Sequence, residues 1–457
     1  MTATFQPAAA TNAQTLTTTQ VHQQLAALLQ PLGAVPEVET LPLPDALDRV
    51  LATDVICPVN VPPHDNSAMD GYAFASSELN LAAASQQLTL RVIGTALAGT
   101  PWQGPIHAGE CVKIMTGAVI PRGLDTVIAY EQVTASDAGI ELDTSAIRAG
   151  ANRRLCGEDL KQGSVALATG QRLSPAALGL LASLGLGQVS VRRRLCVAYF
   201  STGDELLSPG DAPREGAIYD SNRFSLQALL RRLGAKVLDL GAIPDEPAAL
   251  QERLTQAAAL ADVVLTSGGI SAGEADHTRA ILQQMGNVQF WHVAMRPGRP
   301  LAVGLLSSAS SNLLAKSTSS QGIDWTDSSQ NKSKTSSAQR PSVLLGLPGN
   351  PVAAMVSFLM FVRPALAMLA GERSAPVPQL QAISSERMRK RPGRTEYLRG
   401  HIELNAQGQA TVRTTGPQGS GVLSSMVAAH CIIVLDDERG DVLPGESVNV
   451  LLLQGLI

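Results

Sequence analysis

The chain has 457 residues, of which 45% are hydrophobic and 16% are charged, and its formal net charge is −4. This length predicts about three domains, since a domain averages roughly 150 residues. The absence of a basic excess argues against a general nucleic-acid binder. The five cysteines form no CxxC pair, which argues against a zinc ribbon or a disulfide framework and favours reduced thiols in the cytoplasm.

The N-terminal stretch 1–20 is rich in Thr, Ala and Gln, and we predict that it is disordered. No Lys or Arg precedes Arg49, so we expect no secretory signal or transit peptide. An N-terminal region follows over residues 21–193. Its middle part, about 61–160, contains short apolar runs separated by Gly/Pro turns, a pattern that predicts a β-rich subdomain.

Three polar clusters interrupt this region, and no strand or helix periodicity explains the first of them. They read HDNSAMDGYAF (64–74), KIMTGAVIP (113–121) and NRRLCGEDLKQG (152–163). We predict a loop with a functional role for the first cluster, which contains Asp65. The alternative is a rigid structural turn, which Asp70 and Gly71 alone would indicate. The second cluster places Thr116 at a strand end, and the third places Asp159 after a glycine.

Residues 194–371 alternate strand-like and helix-like segments. This alternation predicts a mostly parallel sheet with helices on both faces and a ligand site at the carboxyl ends of the strands. The longest apolar stretch, VAAMVSFLMFV at 352–362, is too short to span a bilayer, so we predict a buried helix and no membrane association. Residues 307–340 are rich in serine and are predicted to form a disordered insertion.

The loop SGGIS (267–271) follows a predicted buried strand. Gly268 and Gly269 permit close approach of the backbone to an anion, and Ser267 and Ser271 add hydroxyl groups, although a simple tight turn is the alternative. Glu274 or Asp276 could hold Mg²⁺ beside a phosphate, or could cap the next helix.

Other strand ends carry further polar residues. Glu205 lies in STGDE and Asp245 in IPDEP, whereas YDSN (219–222) is predicted to be a helix cap through Asp220 or Ser221. The arginines of MRPGRP, Arg296 and Arg299, are predicted to bind an oxyanion, with a solvated basic turn as the alternative. The LPGNP loop is predicted to cap a helix or to contact a ligand through Pro348, Gly349 and Asn350.

Residues 372–457 favour β-structure. The segment HIELNAQGQATVRTT has the pattern of a hairpin, so we predict a small C-terminal β domain.

The motifs DNSAMDGYA, IMTGA, GED, STGDE, YDSN, SGGIS with GEAD, RPGRP, LPGNP and TGPQGS occur in this order. The ordered set closely resembles the MoeA family of molybdopterin molybdenumtransferases, which includes the gephyrin E domain. The resemblance covers about residue 20 to the end of the chain. It implies an α/β plus β multi-domain fold with an N-terminal region of two subdomains, a central α/β sandwich and a C-terminal β-barrel.

The resemblance also implies an activity. Adenylated molybdopterin is bound, molybdate is inserted at the dithiolene and AMP is hydrolysed off with Mg²⁺ as cofactor. It further implies a homodimer, in which the N-terminal segments of one subunit face the central domain of the other. Additional partners implied are the molybdopterin adenylyltransferase and molybdoenzyme-specific chaperones.

Site residues are carried over from the family pattern position by position. Functional polar or catalytic positions correspond to Asp65, Thr116, Asp159, Glu205, Asp245 and Asp276, the last two also as metal ligands. Substrate-binding positions correspond to Ser267, Gly268, Gly269, Ser271, Pro348, Gly349 and Asn350. Molybdate-binding positions correspond to Arg296, Arg299, Arg399 and Ser420.

The chain departs from the family pattern at three places. Arg296 and Arg299 replace the lysines of KPGK, so planar guanidinium groups take the place of compact ammonium groups. Leu155 and Cys156 stand where basic residues are frequent, and Ala353 stands where serine is common. Two alternative functions remain at this point: a molybdopterin adenylyltransferase, which would need the α/β domain alone, and a non-catalytic scaffold of the gephyrin type.

Overall fold

The computed structural model describes residues 15–82, 86–244, 246–269, 276–306, 340–373 and 377–456. These residues divide into two compact units. The first comprises residues up to Glu39, Asp48–Val50 and Arg192 onward, and the second comprises Thr40–Leu47 and Leu51–Val191.

The strands that precede residue 193 are mostly short. In chain order they are β1 (Thr15–Leu16), β2 (Val38–Pro42), β3 (Val55–Ile56), β4 (Asn66–Ser67), β5 (Gly71–Phe74), β6 (Gln87–Ala96), β7 (Glu110–Ile114), β8 (Thr126–Ala129), β9 (Val133–Ser136), β10 (Gly139–Asp143), β11 (Arg153–Arg154), β12 (Val165–Leu167) and β13 (Gln188–Arg192). The helices of the same segment are α1 (Thr18–Leu29), α2 (Ser77–Leu81) and α3 (Pro175–Ser183).

The predicted disorder over residues 1–20 is wrong for residues 15–20. Thr17 caps helix α1, because its hydroxyl accepts from the Gln20 N–H at 3.2 Å while the Gln20 side chain accepts from the Thr17 N–H at 2.8 Å. This reciprocal capping box satisfies two amides at the helix start. Val21, Leu25 and Leu29 of α1 then pack into the core of the first unit, whereas the sequence assigned them to the N-terminal region.

The second unit is organised around a six-stranded mixed sheet. The strand order is β8-β5-β7-β6-β10-β9, and all pairs are antiparallel except β6 with β7. Strand β5 is buried on both faces, since Tyr72 and Phe74 enter one apolar cluster and Ala73 enters another. This sheet provides the β-rich structure predicted near residues 61–160.

The first unit contains the predicted α/β alternation. Its strands are β14 (Cys196–Thr202), β15 (Leu206–Leu207), β16 (Ile218–Tyr219), β17 (Lys236–Ile243), β18 (Val263–Ser267), β19 (Gly286–Val293), β20 (Met295–Arg296), β21 (Pro300–Leu306) and β22 (Ser342–Leu347). Its helices are α4 (Ser221–Arg232), α5 (Pro247–Leu260), α6 (Asp276–Met285), α7 (Pro351–Ser357) and α8 (Arg363–Leu369).

The main sheet has the strand order β1-β19-β21-β22-β18-β14-β17. It is mostly parallel, but β21 runs antiparallel to both neighbours. Alternate residues of β14 face two separate cores, with Tyr199 in one and Phe200 in the other. Helices α4 and α7 contribute to the Tyr199 core and α5 and α6 to the Phe200 core, so both faces are covered as predicted.

The apolar helix predicted at 352–362 is longer than its apolar stretch. A π-helical turn, Phe358–Val362, connects α7 to α8, and helical structure continues to Leu369. The wider turn precedes Pro364, which cannot donate a main-chain hydrogen bond. The span Pro351–Leu369 is long and apolar enough to cross a membrane, but 67% of it is buried inside the protein, as in a core helix.

The C-terminal strands close into a barrel, which confirms the predicted fold class. They are β23 (Leu380–Ser384), β24 (Thr395–Leu404), β25 (Ala410–Thr414), β26 (Cys431–Leu435) and β27 (Ser447–Leu452), with the short helices α9 (Ser424–Val427) and α10 (Leu453–Leu456). The barrel closes because β24 pairs with both β25 and β26. Strand β20 extends it by pairing with β24.

The predicted insertion lies almost wholly outside the described residues, but its two anchors are described. Leu306 and Ser342 are register partners at the end of the β21–β22 ladder, and antiparallel partners have Cα atoms about 5 Å apart. We therefore expect deletion of 310–338 to leave folding and turnover intact, because the remaining linker can close a hairpin. Thermal melting and activity of the deletion variant check this; loss of folding would contradict it.

Candidate functional site

Three loops lie side by side at the carboxyl edge of the main sheet. Ser201 of β14 and Leu347 of β22 are both register partners of Ser267 in β18. The loops that follow these strands, STGDE, SGG and LPGN, therefore begin at one level. A Cβ placed on Gly349 would lie 3.7 Å from the Gly268 Cα, so the structure brings the last two loops into contact.

Gly268 and Gly269 both have left-handed backbone, with φ of +88° and +64°. A Cβ on Gly268 would lie 2.6 Å from the Thr202 carbonyl oxygen, so only glycine fits there. The Gly268 N–H donates to the Leu347 carbonyl at 3.2 Å. This amide is therefore engaged within the protein, and Gly268 allows close packing of the three loops.

The hydroxyl of Ser267 is also engaged beneath the loop. It lies 2.7 Å from the Tyr199 hydroxyl, and both side chains are buried. Burial raises the pKa of the Tyr199 phenol, which keeps it protonated. Ser267 thus anchors the loop to the sheet interior.

The predicted carboxylates are only partly described. Glu205 is exposed, and a Cβ on Gly203 would lie 2.5 Å from one of its carboxylate oxygens. Asp276 begins helix α6, with its side chain outside the described residues, and Asp245 and Ser271 also lie outside them. Within the described part of the chain, no cluster of three His, Cys, Asp or Glu side chains could hold a metal.

A buried arginine forms the centre of a second cluster. Arg399 of β24 is 0% exposed; its Nε donates to Ser425 Oγ at 2.9 Å and its Nη2 to the Gly419 carbonyl at 3.0 Å. Among the described residues its Nη1 has no hydrogen-bond partner. Burial, and secondarily the charge of Arg296, lowers the pKa of Arg399 to about 10. Since a buried charge needs compensation, this cluster is suited to an anion.

The LPGNP loop, which lies beside the SGG loop at the edge of the main sheet, also contacts the cluster around Arg399. The Val352 N–H, in the first turn of α7, donates to the Ser420 carbonyl at 3.0 Å. A Cβ on Gly421 would lie 4.0 Å from the Asn350 side-chain oxygen. Asn350 occupies the N-cap position and Pro351 the first turn, as predicted, but the Asn350 side chain makes no capping hydrogen bond.

The two exposed arginines, Arg296 and Arg299, flank a turn at Gly298, where φ is +97°. A Cβ on Gly298 would lie 2.4 Å from the Ser357 hydroxyl, so the turn packs tightly on α7. Strand β20 runs parallel to the first residues of β24. The charge of Arg296 contributes to the lowered pKa of Arg399, and Arg399 donates to the Gly419 carbonyl beside Ser420. We refer to Arg296, Arg399 and residues 419–421, the Ser420 loop, as the basic cluster.

The residues predicted in the second unit have defined partners. Asp65 accepts from the Cys156 N–H at 2.7 Å and from Arg153 Nε at 2.9 Å, and these contacts, the first above all, lower its pKa. Thr116 donates through its N–H and its hydroxyl to Asp70, each at 2.7 Å. Asp159 is exposed, and its N–H donates to the Val61 carbonyl.

Strand pairing explains part of the first polar cluster, contrary to its interpretation as a loop. Asn66 and Ser67 form β4, which pairs with β11. Gly71 is the first residue of β5 and not a turn residue. Glycine is needed there because a Cβ would lie 1.9 Å from the Ile128 carbonyl oxygen.

Sequence reasoning missed several buried polar residues near the loops. Asn222 donates to the Gly349 carbonyl at 2.7 Å. Within the described structure, the remaining Asn222 oxygen and the hydroxyls of Thr202 and Thr266 have no hydrogen-bond partner. The YDSN motif, which predicts a helix cap, is the available signal for Asn222.

The sequence matches three family regions in order. These are the MoeA N-terminal region (domain I and II) over residues 18–185, a probable molybdopterin binding domain over 198–368, and the MoeA C-terminal region (domain IV) over 381–453. A molybdopterin molybdenumtransferase of Haemophilus influenzae is 41% identical over 93% of this chain and 96% of its own length. The chain belongs to the MoeA family. The predicted resemblance is thereby confirmed.

Other MoeA relatives extend this result. A molybdopterin molybdenumtransferase of a Nostoc species is 31% identical, covering 93% of this chain and 91% of its own length. The crystal structure of a molybdopterin biosynthesis MoeA protein from Pyrococcus horikoshii superposes with a TM-score of 0.74 at 26% identity, over 96% of this chain and all of that one. Because MoeA regions flank the central domain on both sides, the family assignment disfavours an adenylyltransferase, which would need that domain alone.

Proposed function

We propose that this protein, a molybdopterin molybdenumtransferase of molybdenum cofactor biosynthesis, inserts molybdate into adenylated molybdopterin and releases AMP by Mg²⁺-dependent hydrolysis. The observation that carries this proposal is the buried Arg399, whose Nη1 has no partner among the described residues. A small tetrahedral oxyanion would supply the missing acceptors. Family membership supports the same reaction class.

Molybdate is proposed to bind the basic cluster formed by Arg399, Arg296 and the Ser420 loop, with Arg299 on the same turn as Arg296. Arg399 contributes a fixed donor, because Ser425 and Gly419 hold its other nitrogens. Arg296 is exposed and can move to meet the anion. The guanidinium planes replace the family lysines, which favours paired hydrogen bonds to two oxygens over a point charge.

The phosphate groups are proposed to lie over the Ser267–Gly269 and Pro348–Asn350 loops. Their contact through Gly268 and Gly349 allows one ligand to touch both. The same LPGNP loop touches the Ser420 loop, so phosphate and molybdate would lie within reach of one substrate. This arrangement supports insertion of the metal while the nucleotide is still bound.

Mg²⁺ is proposed to bind beside these phosphates. The residue types suit this ion, because Asp276 begins helix α6, and magnesium takes one or two carboxylates together with phosphate oxygens and water. Asp245 is proposed as the second carboxylate. When bound, the ion would neutralise developing negative charge on the phosphate oxygens.

The proposed assay mixes the purified protein with adenylated molybdopterin, Mg²⁺ and molybdate and measures AMP by chromatography. Molybdate-dependent release of AMP is the expected outcome. Binding of the substrate without release would contradict the enzymatic function and would favour the scaffold alternative. Such an alternative is disfavoured by Asp65, Asp159, Asp245 and Asp276, which a retired enzyme would be expected to lose.

Asp276→Ala is expected to slow AMP release at least about tenfold and to raise the Mg²⁺ concentration needed for half-maximal rate, since it removes one of two proposed metal ligands. Titration of Mg²⁺ in the AMP assay measures both effects. Asp211→Ala is the matched control, because that carboxylate is exposed and accepts only a local turn hydrogen bond from Ser208 among the interactions described. Unchanged turnover and Mg²⁺ response in Asp276→Ala would remove this residue from the site.

A homodimer is proposed from the family pattern, with Asp65, Thr116 and Asp159 of one subunit serving the central domain of the other. The cytoplasm is the proposed location, and the adenylyltransferase and cofactor chaperones are proposed partners. Sedimentation equilibrium of the purified protein checks the dimer, and a monomer at micromolar concentration would contradict it.

A further inference from the structure

A buried series of hydrogen-bonded hydroxyl groups connects the N-terminus of helix α4 to the Ser267–Gly269 loop. Asp220 accepts from the Ser201 hydroxyl, which lies 3.2 Å from the Tyr199 hydroxyl, which in turn lies 2.7 Å from Ser267 Oγ. All of these side chains are less than 5% exposed. Because the Ser201 hydroxyl donates its hydrogen bond to the Asp220 carboxylate, it can only accept a hydrogen bond from Tyr199. The carboxylate therefore fixes the direction of every hydrogen bond in this series of hydroxyl groups.

Asp220 has a second role that can be separated from the first. Its other carboxylate oxygen accepts from the Arg223 N–H at 3.0 Å and caps α4. A cap requires only an acceptor, which Asn supplies as well as Asp. Orienting the Ser201 hydroxyl requires that the second terminal atom of residue 220 also accepts a hydrogen bond. In Asn this atom is an amide nitrogen, which cannot accept.

The first turn of the same helix also reaches the neighbouring loop. Asn222 donates from its side-chain nitrogen to the Gly349 carbonyl at 2.7 Å and is only 7% exposed. The first turn of α4 therefore holds both loops at the carboxyl edge: Ser267–Gly269 through Ser201 and Tyr199, and Pro348–Asn350 directly. The two loops are separated by about 80 residues in the chain, so local sequence cannot set their spacing.

We propose that the first turn of α4, through Asp220 and Asn222, is a positioning element that sets the spacing of the two loops that hold the substrate phosphates. Tyr199 is the positioning residue that links the carboxylate of Asp220, through the Ser201 hydroxyl, to the hydroxyl of Ser267. This inference rests on the proposed function of those loops and adds residues that do not themselves touch the substrate. A displaced loop would weaken the phosphate contacts and leave the basic cluster around Arg399 unaffected.

The test compares Michaelis constants for the two substrates in Asp220→Asn, Tyr199→Phe and Asn222→Ala. Each change removes at least one ordering hydrogen bond, and one such bond is worth about 1 kcal/mol. We expect each variant to raise the KM for adenylated molybdopterin about fivefold and to leave the KM for molybdate within about twofold. Asp220→Asn keeps the helix cap, so its melting temperature should stay close to that of the unaltered protein.

Tyr397→Phe is the matched control, because Tyr397 is another buried tyrosine of the same unit that bonds Thr18 outside the series of hydroxyl groups. It should leave both KM values unchanged. Parallel increases in both KM values, or unchanged values in Asp220→Asn, would overturn the positioning role. A wild-type protein without AMP release would overturn the proposed function and this inference with it, whereas an active wild type with unaltered variants overturns the inference alone.

Discussion

Arg399→Met is expected to lower molybdate-dependent AMP release at least about 100-fold, the largest effect of any single substitution considered. The guanidinium is fully buried and has an open donor at Nη1 within the described structure. Truncating one partner of a buried charge pair costs about 3 kcal/mol or more, which corresponds to about 100-fold in affinity. Steady-state rates over a range of molybdate concentrations measure the loss.

The same variant is expected to lose activity without losing thermal stability. Without an anion, Arg399 is a buried charge whose pKa is already lowered to about 10 by burial and by Arg296. Replacing such a charge with an apolar side chain of similar length is often neutral or stabilising. We therefore expect Arg399→Met to melt at or above the temperature of the unaltered protein without molybdate, and to show none of the stabilisation that bound molybdate confers.

Arg413→Met is the control for both experiments. Arg413 lies on the neighbouring strand β25, is half exposed and pairs with Glu403 at 3.5 Å. Its replacement should alter neither the rate nor the molybdate-dependent shift in melting temperature. A molybdate response that survives in Arg399→Met would show that the anion binds elsewhere.

Gly268→Ala is expected to have the second largest effect. The φ of +88° disfavours alanine, and the new Cβ would lie 2.6 Å from a main-chain oxygen of Thr202 that cannot rotate away. We expect a loss of roughly 2–4 kcal/mol in the free energy of unfolding. A loop displaced by about 1 Å should also reduce kcat/KM for adenylated molybdopterin about 100-fold.

Gly234→Ala separates conformational strain from the steric clash. Its φ is +82°, nearly that of Gly268, but the nearest atom to an added Cβ is 3.8 Å away on a flexible arginine. It should cost about 1 kcal/mol and leave the Michaelis constants unaltered. Urea unfolding gives the free energies, and equal losses for both variants would mean that the Thr202 contact can relax.

The local pattern of the sequence was sufficient for the elements of the α/β sheet. Asp220 caps α4 and Pro351 begins α7 as predicted, because capping and proline geometry depend on a few adjacent residues. The same approach failed for Gly71 and for residues 15–20. The need for glycine at position 71 comes from its contact with a strand about 55 residues later. Helix α1 packs against core residues that lie beyond residue 190 in the sequence.

The sequence by itself therefore determined the family, the order of the domains, the alternation of strands and helices, and the candidate site residues. Only the tertiary structure decided which of these residues meet. The charge of Arg296 acts on Arg399 in the structure in which β20 pairs with β24, and Asn222 reaches Gly349 because α4 packs beside α7. Strand register and helix packing over such separations depend on the whole core, so no local motif encodes them.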